Sequence, residues 1–209
     1  MSEKHLVSLK DVEEASKRLQ GIIRPTIMVH AGWLERQIDK PVYLKPENLQ
    51  RAGSFKIRGA YNLMSQLSDA DKKKGVVAAS AGNHAQGVAL AAQLLGIKSR
   101  VYMPFSASIP KVSATKGYGA EVKFAGDTID VAINEAKQDC EKTGSIFISP
   151  FDHPHIVAGQ GTVGLEIIQQ LPEIIQESGE IGEFELDIFK VTIKDMTTYE
   201  HNLINIYNK

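Results

Sequence analysis

The chain has 209 residues, 43% of them hydrophobic, with 24 basic and 25 acidic side chains. That is enough apolar material for one large domain or two small ones, and a net charge of −1 offers no overall basic field for nucleic acid. No run is long and apolar enough to read as a membrane span, and no apolar stretch follows Met1 to His5 as a secretory signal would need, so a cytoplasmic setting is expected. The single Cys140 excludes an intrachain disulfide. Its spacing from Ile129, Ile133 and Ala136 puts it on the apolar face of a helix, as a small buried hydrophobe.

Ser8 with Asp11 resembles a capping box, and Val12, Ala15, Ser16 and Leu19 follow at helical spacing, predicting an opening amphipathic helix of about three turns. Arg24-Pro25-Thr26 ends it. Residues 31–38 predict a second short helix with Trp33 in the core, and Val42-Tyr43-Leu44 a strand. A regular alternation then begins: strand at 76–79, helix at 81–95, strand at 100–103, helix at 109–118, strand at 122–124, helix at 128–142 and strand at 146–148. Ser108 with Pro110 marks a helix start and Gly119 a stop. This order predicts an α/β fold of three layers, a mainly parallel sheet with helices on both faces, and a ligand beyond the carboxyl ends of the strands.

After Pro172 the composition changes. The last 37 residues hold no alanine, against 19 in the first 172, and carry eight acidic residues against three lysines. Phe184, Leu186 and Ile188 alternate like a strand, whereas 202–209 has no clear period. Residues 173–209 therefore read as a divergent tail.

Two stretches carry candidate chemistry. In Ser54-Phe55-Lys56-Ile57-Arg58-Gly59-Ala60 a lysine stands between an aromatic ring and a helical pattern starting near Ile57. Desolvation against Phe55 and the positive helix end would both lower its pKa, as a Schiff-base lysine requires. Taken alone, the heptapeptide also fits a surface lysine at a helix start, the commoner case. The second stretch, Ser80-Ala81-Gly82-Asn83-His84-Ala85-Gln86-Gly87, lies between a strand and a helix, where small residues and free N–H groups can hold a carboxylate. An ordinary tight turn fits it equally well. His153-Pro154-His155 has no Cys or acidic partner at ligand spacing, so no metal is expected, and Lys72-Lys73-Lys74 reads as a solvated face between elements.

Together with Pro150-Phe151-Asp152-His153-Pro154 and Ala158-Gly159-Gln160-Gly161-Thr162, these two stretches resemble the threonine ammonia-lyases (threonine dehydratases), with serine racemase a close relative. The resemblance covers about Leu6 to Leu171. It implies a pyridoxal-phosphate enzyme of the tryptophan-synthase-β fold type, fold type II. Lys56 would carry the cofactor through a Schiff base and remove the substrate α-proton, Phe55 would pack beside the ring, and Asn83 would bond its phenolic oxygen. Ser80, Gly82, Asn83 and His84 would clasp the substrate carboxylate. Threonine would give 2-oxobutanoate and ammonia, and serine pyruvate.

Departures accompany the match. In the family a glycine run that cups the cofactor phosphate follows the segment matching Gly159 to Leu171, and a later serine or cysteine meets the pyridine nitrogen. This sequence has neither, and Arg24-Pro25-Thr26 inverts the usual Thr-Pro order. By the same resemblance, residues 51–149 form a complete small domain, while 1–50 and 150–172 are an arm and a returning segment of a partial large domain. The alternative expectation is a non-catalytic truncated remnant, or a partner in a heteromer with an intact relative. Assembly with itself or with another chain stays open.

Overall fold

The computed structural model describes the backbone of residues 7–178, 184–186 and 206–208, and side chains as far as residue 171. The first helix, α1 (Leu9–Leu19), is started by the expected capping box: the Ser8 N–H donates to Asp11 Oδ2 at 2.8 Å and the Asp11 N–H to Ser8 Oγ at 3.4 Å. Its apolar face is fully buried at Ala15 and Leu19. Next come β1 (Val29–His30), α2 (Gly32–Ile38) and β2 (Tyr43–Leu44), with β1 and β2 forming an antiparallel ribbon. The sequence pattern revealed α2 and β2 but not β1. Trp33 departs from its expected place in the core: it is 55% exposed, because α2 buries no residue against the rest of the molecule.

The central layer is a four-stranded parallel sheet in the order β5 (Glu121–Phe124), β4 (Ser99–Met103), β3 (Val76–Ala79), β6 (Ile146–Phe147). Strand β3 is buried on both sides, as parallel strands between helical layers are. Val76 and Ala78 pack with residues of α3 (Lys56–Ser65) and α5 (Asn83–Leu95), while Val77 and Ala79 pack with Ala132 and Ala136 of α7 (Ile129–Thr143). Strand β4 alternates likewise, with Val101 and Met103 toward α5 and α6 (Ile109–Gly117), and Tyr102 toward α7. The three-layer α/β architecture is therefore the observed one. Lys72, Lys73 and Lys74 lie in the last turn of a helix the sequence pattern did not reveal, α4 (Asp69–Lys74), capped by Ser68.

Strands β3, β4 and β5 step outward in one direction, and β6 then returns to the other side of β3. The crevice at such a reversal, beyond the carboxyl ends of β3 and β6, is where open α/β sheets bind ligands. From β6 the chain enters α8 (Pro154–Ser178), which passes through Pro172 without ending and packs against α1 and α3. In the tail, β7 (Phe184–Leu186) pairs antiparallel with β8 (Ile206–Asn208), so a strand occurs where 202–209 showed no period. Ile188 lies outside the described residues. Among the described residues no helix is long and apolar enough to cross a membrane.

Candidate active site

Lys56 is the first residue of α3, with Phe55 at the cap, one residue earlier than the sequence pattern placed the helix start. The lysine is only 7% exposed, and its Nζ donates to the Pro150 carbonyl, just beyond β6, at 3.1 Å. Nζ also stands 5.1 Å from the centroid of the Phe55 ring. Burial lowers its pKa from 10.5 to about 8. Desolvation is the cause, as expected, whereas the helix end makes no resolved contribution. One carbonyl and one ring face do not replace the hydration of an ammonium, so the neutral amine is favoured.

Beyond β3, Ser80 through Gly82 form a loop before α5 begins at Asn83. The Ser80 N–H donates to Tyr102 O at 3.0 Å, and Ser80 Oγ accepts from the Gly82 N–H at 3.1 Å, fixing the loop. Gly82 caps the helix without a side-chain bond, and the first intrahelical bond runs from the Gln86 N–H to Gly82 O. The N–H groups of Asn83, His84 and Ala85 are thus left without intrahelical acceptors at the positive end of the helix, a cradle for a carboxylate. Lys111 of α6 lies beside this loop: a Cβ added to Gly82 would sit 3.3 Å from its Nζ. His84 points its ring the other way. It is 4% exposed, its Nε2 meets Ile148 O at 2.9 Å, and burial lowers its pKa to about 4, so the ring is neutral and donates to that carbonyl. Only its main chain faces the cradle.

The two stretches meet because Gly87, one turn into α5, lies against the Lys56 backbone, where a Cβ would come 3.0 Å from Lys56 C. A second close approach joins α3 to α8: a Cβ on Gly159 would stand 2.6 Å from Arg58 O. Glycines that look like loop signals in sequence thus serve as points where backbones touch.

Arg58, fully buried two residues after Lys56, had no assigned role in the sequence reading. Its guanidinium makes paired bonds to Glu47 at 2.7 and 2.8 Å and to Glu166 at 2.6 and 3.0 Å, and a further one to Thr162 Oγ1 at 3.1 Å. Lys45 pairs with Glu166 at 2.7 Å, and Thr26 Oγ1 donates to Glu47 at 2.7 Å. Burial alone would raise the Glu166 pKa, but hydrogen bonds from Arg58 and Lys45 outweigh it and hold the carboxyl below its usual value. Two cations and two anions therefore balance, and tie α3 at Lys56 to the arm and to α8. A sequence signal existed, a lone glutamate at 166 within an apolar helical run, but its partner Arg58 lies 108 residues away.

The remaining candidates fall outside this site. His153 and His155 have ring centroids 5.3 Å apart, and among the described residues no group of three or more potential ligands could hold a metal. Cys140 is half-buried against the cluster under α7, and burial raises its thiol pKa.

Fold and site together define an α/β protein with a neutralisable lysine facing a helix-start anion cradle. Over residues 19–178 the chain matches the family described as pyridoxal-phosphate dependent enzyme, and it belongs to that family. It is 47% identical over 169 residues to an L-threonine ammonia-lyase of Thermotoga maritima, covering 81% of this chain and 42% of the relative. It is 48% identical over 168 residues to the catabolic L-threonine dehydratase TdcB of Escherichia coli, covering 80% and 51%. Among solved structures, maize serine racemase superposes with a TM-score of 0.77 at 36% identity, covering 80% of this chain and 51% of that one. A second superposes at 0.74 with 41% identity, the threonine deaminase of the organism abbreviated T.th., covering 80% of this chain and 53% of that one. The chain thus spans about half the length of the relatives it matches.

The family's cofactor fits these residues in part. A buried, neutralisable amine and an adjacent ring suit the aldehyde end and the pyridine face. The phosphate end finds no glycine run in this sequence.

Proposed function

We propose that the chain supplies the lysine-bearing half of a site that deaminates L-threonine to 2-oxobutanoate and ammonia, and acts on L-serine to give pyruvate. The observation that carries this reading is Lys56: a nearly buried lysine with its pKa lowered to about 8, at the strand-order reversal and one turn from the α5 cradle. At pH 7 about a tenth of such a group is neutral, against under about a thousandth for an ordinary lysine. The printed names of the threonine-degrading relatives support the same reading. It carries with it a cytoplasmic setting, a small domain at 51–149, and an arm and returning segment at 1–50 and 150–172.

In this reading Phe55 packs beside the cofactor ring and Asn83 donates to its phenolic oxygen. Pyridoxal phosphate supplies an electron sink for charge left at the substrate Cα. The N–H groups of Asn83, His84 and Ala85 hold the carboxylate, and Ser80 keeps the loop shaped around it. Lys56 Nζ takes the Cα proton, and the β-hydroxyl then leaves as water. The Pro150 carbonyl orients Nζ, while the neutral His84 ring holds the end of β6 in register with α5.

A second reading, a non-catalytic remnant or heteromer partner, is favoured by the half-length match and the missing glycine run. The experiment that separates them is borohydride reduction of the purified chain with pyridoxal phosphate, followed by mass mapping. A single adduct on Lys56, absent in Lys56→Ala, is the expected result. Scattered labelling across surface lysines, or none, would remove the first reading.

A further inference from the structure

Chain pieces flanking the sheet expose an apolar face. Leading into β1, Met28 is 8% exposed and packs on Ile167 of α8, while Ile27 and Val29 on either side project outward at 75% and 53% exposure. This is strand alternation with the outer side left bare. Trp33 of α2 is equally bare at 55%. On α8, Val157, Leu165 and Ile168 fall at helical spacing along one side, with Val157 47% and Ile168 49% exposed. The ribbon β1–β2 has two strands and therefore two unpaired edges, and such ribbons are marginal alone.

We infer that this face, built from Ile27, Val29 and Trp33 with the Val157–Ile168 side of α8, is the docking surface for a polypeptide carrying the other half of the family fold, which adds strands to the ribbon and covers α8. Three observations select this occupant. The match ends at residue 178, at the end of α8 itself. Relatives of 47–48% identity carry about as much chain again as this one covers. Their solved counterparts superpose on four-fifths of this chain, so its surface has the shape those folds cover from their own other half. An edge-adding partner is also the known way for an open ribbon to be completed. The inference rests on the proposed function only in that the docked half would bring the phosphate-binding segment.

The test is co-expression of the 209-residue chain with the portion of E. coli TdcB that follows the matched stretch, a fragment first chosen because it assembles with its own N-terminal half. A one-to-one complex on gel filtration is expected. Ile27→Glu with Val29→Lys should weaken it at least about tenfold, whereas Phe124→Glu, at the far sheet edge, should leave it intact, with circular dichroism confirming that both variants fold. No complex, a complex indifferent to the double variant, or a homodimer that the double variant breaks would each overturn the inference. Lys56→Ala must not affect assembly. A complex that forms without a borohydride adduct on Lys56 defeats the proposed function and leaves the surface standing, and an adduct on a chain that binds no fragment does the reverse.

Discussion

Two regions of this molecule use the same kind of residue in opposite ways. Around Lys56 the elements are closed: β3 is buried along its whole length, α3 has buried residues at eight of ten positions, and Arg58 is fully covered with its charges matched. In the arm, α2 buries nothing, and Ile27, Val29 and Trp33 stand mostly in solvent. The closed region folds around its own contacts, while the arm presents half of a contact. Joining them is the Arg58 cluster, whose partners come from the arm, α3 and α8. The lesson is that the lysine's environment depends on the region with the least core of its own.

The largest effect should come from cutting that joint. Arg58→Met leaves Glu47 and Glu166 buried without their main partner and should cost about 3–5 kcal/mol in urea unfolding. If instead it is neutral, the arm and the closed region are not coupled. Lys56→Met should act in the opposite direction. The lysine binds fewer protons folded than unfolded between pH 8 and 10.5, so wild-type stability rises with pH through that window. At pH 7 the variant should gain about 3 kcal/mol and show no such rise. Gly87→Ala puts a methyl into the Lys56 backbone and should cost about 1–3 kcal/mol, with the Lys56 pKa moving as the amine is displaced, a shift that amine-modification rates would report.

His84 tests the closed region from the acid side. Its folded pKa near 4 lies below the ordinary 6.5, so the unfolded chain binds more protons between them and stability falls as pH falls through that range. His84→Gln should flatten this limb by about 1 kcal/mol per pH unit, and an unchanged slope would mean the ring is not locked on Ile148. The smallest effect belongs to the arm: Ile27→Ser and Val29→Thr should each change the stability of the isolated chain by under about 0.5 kcal/mol. A large loss there would show the face already covered in solution.

Local sequence determined the succession of strands and helices, the capping of α1, the motif stretches and the family they resemble, because periodicity and cap chemistry act within a few residues. It also marked Lys56 as the lysine to watch. Only tertiary structure decided why that lysine is suited to its task, since Pro150 lies 94 residues away and burial depends on distant helices meeting. The same holds for the turn of the His84 ring toward Ile148, for Gly87 and Gly159 as points of backbone contact, and for the pairing of Arg58 with Glu166. Trp33 was misread because an apolar residue in a short amphipathic segment signals burial without saying against what. Whether a side chain is covered is a property of the surface opposite it, and no local pattern carries that information.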